Sequence, residues 1–170
     1  MSVFLTLLET HMSHDTHRRS LSGLILRIPA GVLTAVVMAA ILWLTLAPHP
    51  LPENDLPLFP GADKLVHACM FGGLYFIMAL DAVTWRVAHA RKRRAHSGGP
   101  ETETGISTVL PVKMSVLFAL AAILTGGAIE LAQGAMGLGR GCDLFDFLAD
   151  AAGVLLAVWL TPPVLRGIHG

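Results

Sequence analysis

Nine polar residues in three groups carry what chemistry this sequence offers. Asp63, Lys64 and His67 come first, with Asp63 and His67 four apart and therefore on one face of a helix. Glu130 and Gln133 follow, three apart. Arg140 then precedes Asp143, Asp146 and Asp150, whose spacing of i, i+3 and i+7 makes one stripe down a helix. Lys64 and Arg140 could hold a phosphate or carboxylate, the arginine by a bidentate contact. His67, Glu130 and Asp146 could accept from hydroxyl or amine groups. Carboxylates beside a histidine also suit general acid–base or metal-assisted hydrolysis. No nucleophile motif and no paired-histidine spacing accompanies them, so no metal or cofactor is expected and no catalytic residue is assigned. Cys142 has nothing beside it in sequence that would activate a thiolate.

Each residue also has a plainer role. Asp63 and Asp143 suit helix N-termini, where a carboxylate caps free N–H groups and meets the positive end of the dipole. Lys64 and Arg140 suit interfacial anchors, and a single histidine commonly serves packing. Glu130 and Asp150 resist such readings, because each lies in an apolar run without a neighbouring cation in sequence. A buried acid is costly without a partner, and Arg140 or Lys64 is the partner expected for Glu130. Small residues continue the same faces: Gly126, Glu130 and Gly134 are each four apart, and Gly153 lies three after Asp150. Small residues allow close helix approach in lipid, so the polar stripes are expected to face one another.

The elements that must position these groups are set by composition. Of 170 residues, 54% are hydrophobic and only 14% charged, with a mean hydropathy of +0.63. Soluble domains carry about a quarter charged residues, and disordered chains are far less apolar. Twelve basic residues balance twelve acidic ones, which argues against nucleic acid as a partner. Two cysteines, Cys69 and Cys142, exclude a disulfide scaffold or a multi-cysteine metal site. Four apolar runs approach the roughly 20 residues needed to cross a bilayer: Ile28 to Ala47, Leu65 to about Val83, Val112 to about Gly134, and Asp143 to Leu160. Prolines between the first two runs, and Thr161-Pro162-Pro163 after the fourth, predict breaks.

The expected fold is all-α, an integral membrane bundle of four transmembrane helices with both termini cytoplasmic. Orientation follows from basic residues: Arg18, Arg19 and Arg27 precede the first run, Arg86, the Arg91–Arg94 run and Lys113 lie between the second and third, and Arg166 follows the fourth. Only Lys64 and Arg140 fall on the other side, which is therefore the outer face. Residues 1–27 read as a cytoplasmic leader, 28–163 as the membrane domain with a basic loop at about 86–111, and 164–170 as a cytoplasmic tail. The opening Met1–Thr10 lacks the basic start of a secretory signal, and Met12 offers a second start codon position. His11, His14 and His17 sit in a polar stretch read as solvated, and the basic loop reads as a topological anchor near anionic lipid heads.

The motif Asp63-Lys64-x-x-His67, then Glu130-x-x-Gln133, then Arg140-x-x-Asp143-x-x-Asp146 with Gly153 further on resembles the VanZ-like membrane proteins. The resemblance covers about residues 28 to 160 and rests on three separated motifs in the right order. It departs at Asp150, where the family usually has asparagine, and at Gly137-Leu138-Gly139, where proline-glycine is often seen. It implies a bacterial inner-membrane protein with a cell-envelope theme, since the founding member is associated with teicoplanin resistance. It implies no reaction. The function expected is action on, or binding of, an envelope lipid, glycan precursor or lipid-like antibiotic at the outer face. An envelope hydrolase or transferase and an ion- or proton-coupled transporter are the alternatives.

Overall fold

The computed structural model describes residues 29–47, 61–97, 109–137 and 142–169, and among them the regular structure is entirely helical. Four helices follow in chain order: α1 Val32–Leu46, α2 Ala62–Ser97, α3 Val112–Met136 and α4 Leu144–His169. Three are long and apolar enough to cross a membrane, over Ala62–Ala90, Val112–Met136 and Leu144–Arg166. The first helix has 15 residues, about 22 Å at 1.5 Å per residue, against a hydrocarbon core of about 30 Å. Its apolar run is longer than its helix because Gly31, at φ 86°, takes a left-handed conformation and starts the helix only at Val32.

The helix α2 is the hub. Phe71, Leu74, Tyr75, Ala79 and Val83 recur every three or four residues on one face and are buried, while Ile41, Ile129 and Val154 come to that core from the other three helices. The outer faces are the reverse of a water-facing surface, with Val36, Trp43, Leu117, Leu124, Leu131 and Trp159 all exposed. Large exposed apolar area of this kind suits lipid rather than water.

Interhelix hydrogen bonds show that neighbours alternate in direction. At one end, the Gln133 side-chain amide of α3 donates to the Thr45 carbonyl of α1 at 2.8 Å. At the other, the Thr34 N–H and hydroxyl donate to Asp81 Oδ2 at 3.0 and 2.7 Å, and Tyr75 meets the Ser115 hydroxyl at 2.6 Å. Arg86 donates there to the Val109 carbonyl at 3.1 Å.

The tightest crossing joins α2 to α4. A Cβ on Gly153 would run into the Ala68 backbone, and one on Gly72 would stand 2.8 Å from the Gly153 carbonyl oxygen. Backbone therefore meets backbone, as the small-residue pattern predicts for helices packed in lipid.

Two helix boundaries differ from the sequence expectation. Residues 86–97, expected to begin a basic loop, continue α2 without a break. Alanine, lysine and arginine dominate Ala88–Ala95, all good helix formers, and cations favour the negative end of a helix dipole. The fourth helix does not stop at Thr161-Pro162-Pro163 but runs on to His169. The prolines remove two backbone donors, yet Leu165 is buried in the core beyond them. Packing of the following turn outweighs the local penalty.

Candidate functional site

The α2–α4 crossing builds the site. Because Gly153 brings α4 against Ala68, the side chains one residue and one turn away are forced together. His67 Nδ1 stands 3.0 Å from Asp150 Oδ1, which puts the ring proton on Nδ1 when Asp150 is ionised. One turn outward, Lys64 donates to Asp146 Oδ1 at 3.1 Å and to Asp63 Oδ2 at 2.9 Å, with Asp143 Oδ2 at 3.6 Å.

The third wall comes from α3. Gly126 makes room for Asp150: a Cβ there would lie 2.6 Å from Asp150 Oδ2. One turn on, Glu130 is 2% exposed, and its Oε2 accepts the Asp143 backbone N–H at 3.0 Å. Asp143 in turn caps α4, its Oδ1 accepting the Phe145 N–H at 2.8 Å. The remaining oxygens, Glu130 Oε1 and Asp150 Oδ2, are buried with no hydrogen-bond partner among the described residues. A buried polar atom left in this state costs about 1–3 kcal/mol, and more when charged. One ring nitrogen of His67 and one oxygen each of Glu130 and Asp150 lie within 4.8 Å of one another.

Seven of the nine residues singled out in the sequence therefore gather at one end of the bundle: Asp63, Lys64, His67, Glu130, Asp143, Asp146 and Asp150. Gln133 is buried but spends its amide on α1, so its described bond ties helices together. Arg140 lies outside the described residues. Lys64 is not the partner of Glu130, because three aspartates draw its ammonium to the rim; a backbone N–H serves Glu130 instead. Of the five carboxylates of Asp63, Glu130, Asp143, Asp146 and Asp150, three pair with Lys64 and Asp150 meets His67, which is cationic only when protonated. The arrangement suits hydroxyl, amine or cationic ligands better than a bare anion.

Two further pairs escape sequence reasoning. Asp81 is buried and holds the first turn of α1 through Thr34, and Tyr75 bonds Ser115. Neither pair shares a local spacing that would have found it; only the buried acid on an apolar helix gave a signal. A groove of about 560 Å³ lies near Asp81, lined by apolar residues such as Met38, Met78, Trp85 and Phe118, and holds no part of the cluster. No protein-family model, curated protein or solved structure matches the chain.

Proposed function

We propose that this chain is a VanZ-like bacterial inner-membrane protein of four spans with both termini cytoplasmic. Its polar cluster faces outward and binds or acts on a cell-envelope lipid, glycan precursor or lipid-like antibiotic. One observation carries the reading: three helices direct buried carboxylates and a histidine into one cluster and leave two buried oxygens without a partner among the described residues. An ion-pair network that served only stability would satisfy those atoms. The cluster sits at the end of α2 opposite Arg86, Lys92 and Arg93, which by the basic-residue rule supports an outward-facing cluster. In this reading Glu130 and Asp146 receive hydroxyl or amine groups of the ligand, and Arg140 meets its phosphate or carboxylate.

The His67–Asp150 contact favours a second reading, an envelope hydrolase or transferase that uses His67 as acid or base. Transport has less support, since Asp81, the acid nearest the opposite end, is engaged by Thr34.

The test is complementation of a deletion strain profiled for envelope lipids, precursors and glycopeptide susceptibility. Glu130→Gln, whose amide oxygen still accepts the Asp143 N–H, and His67→Gln, whose amide N–H still donates to Asp150, should insert at wild-type levels yet fail to restore the wild-type profile. Full restoration by both variants would sink the site assignment. A deletion strain identical to its parent in all three profiles would sink the envelope reading.

A further inference from the structure

The innermost trio has a composition distinct from the rest of the cluster. His67, Glu130 and Asp150 belong to three different helices, and the two acids are 2% and 1% exposed. Among the described residues each acid keeps one oxygen bonded and one without a partner: Glu130 Oε2 accepts from Asp143 while Oε1 has none, and Asp150 Oδ1 faces His67 while Oδ2 has none. Two carboxylates this close repel each other in a low-dielectric interior, and Lys64 is held by aspartates at the rim. His67 offsets Asp150 only when protonated, and a compact cation that takes several donors at once would supply the remaining counter-charge.

We propose that His67, Glu130 and Asp150 form a binding site for a divalent first-row transition-metal ion, represented by zinc. The donors are one imidazole nitrogen and two carboxylate oxygens within 4.8 Å of one another. Calcium and magnesium prefer oxygen alone, whereas imidazole beside carboxylate suits zinc and its neighbours. Zinc binds nitrogen and oxygen at about 2.0–2.1 Å, which sets tetrahedral ligands about 3.3 Å apart. The described spacing of up to 4.8 Å is wider than that, so binding draws the three side chains inward. One surrounding group already does what outer partners of metal ligands do, since the Asp143 N–H orients Glu130, while the Asp150 carboxylate is seated against Gly126. Three protein ligands leave a further coordination position for water or ligand, as in catalytic rather than structural zinc sites. The histidine-pair spacing that marks many zinc sites is absent here because each ligand comes from a separate helix.

This proposal rests on the cluster being a ligand site, as argued above, but on no particular envelope ligand. It is tested on the purified full chain in detergent, stripped with chelator and titrated with Zn²⁺ against a chromophoric competing chelator. Because His11, His14 and His17 in the leader could bind zinc themselves, the titration is repeated with all three changed to alanine. One zinc per chain should remain. His67→Gln, Glu130→Gln and Asp150→Asn should each weaken it about 100-fold or more, while His89→Gln, at the opposite end of α2, leaves it unchanged. Loss of all zinc binding with the leader histidines, or unchanged affinity in the trio variants, overturns the site. Should a variant fold poorly, zinc-edge X-ray absorption of the wild type decides: a nitrogen and oxygen shell with one imidazole supports the trio, and a sulfur shell overturns it. Zinc bound as described by a protein that fails the complementation test would refute the envelope reading alone.

Discussion

At the scale of single residues, the site depends on where side chains are missing as much as on where they are charged. Gly126 and Gly73 are both helical glycines, yet a Cβ on Gly126 would stand 2.6 Å from Asp150 Oδ2, whereas one on Gly73 meets nothing within 4 Å. Gly126→Ala must therefore push the Asp150 carboxylate away from α3, at a cost of about 1–3 kcal/mol for overpacking. Gly73→Ala should be neutral or stabilising by up to about 1 kcal/mol, since alanine is the better helix former. Thermal unfolding in detergent compares the two directly, and equal melting temperatures would mean that Asp150 does not lie over Gly126. The partner of Glu130 also belongs to this scale. Sequence reasoning sought a cation for it and so looked to Lys64 or Arg140; aspartates hold Lys64, Arg140 lies outside the described residues, and the described donor is a main-chain N–H at the start of α4. Every residue but proline carries such a donor, so no side-chain pattern could mark Asp143 as the one that would serve.

At the scale of elements, the faces were legible in the sequence and the ends were not. The i, i+3 and i+4 spacings placed His67, Glu130 and Asp150 on inward faces, because helical periodicity survives whatever a helix packs against. The ends depend on what the flanking turns touch. Residues 86–97 stay helical despite their charge, and α4 passes two prolines because Leu165 anchors the next turn. The start of α1 depends on a tertiary contact as well. Asp81 of α2 accepts both the Thr34 N–H and its hydroxyl, doing from another helix what a capping side chain does within one. Asp81→Ala should leave that N–H unpaired and destabilise the α1–α2 contact by about 1–3 kcal/mol. Asp81→Asn, which keeps an acceptor, should lose less. Limited proteolysis before α1 gives the readout, and equal cleavage of wild type and Asp81→Ala would show that the contact does not hold the helix. The basic end of α2 is argued the same way. If the Arg91–Arg94 run serves only orientation, arginine-to-lysine changes in it leave activity intact, and any loss in correctly inserted protein would reveal a specific guanidinium contact.

For the whole molecule, the alternating bundle and the charge distribution make one joint prediction. The polar cluster gathers at the end where α2 and α4 begin and α3 finishes, and the basic residues Arg86, Lys113 and Arg166 belong to the opposite ends of the same helices. In the proposed four-span orientation the cluster end is outside, and the native cysteines test it. Both are free and exposed on the protein surface, but they sit in different surroundings. Cys142 lies just before α4 beside Gly134, at the polar end. Cys69 lies two turns into α2, where its neighbours Leu65 and Val66 are exposed apolar side chains. Surface exposure there means contact with lipid rather than water. A membrane-impermeant maleimide applied to intact cells should therefore label Cys142 and spare Cys69, while a small lipid-soluble thiol reagent reaches both. Single changes, Cys69→Ser and Cys142→Ser, assign each label. Labelling of Cys142 only after the cytoplasm is opened would turn the bundle over, and with it the claim that its ligand arrives from outside. Efficient labelling of Cys69 by the impermeant reagent would mean that water reaches this face of α2, and the helix would then not be packed against lipid at that depth.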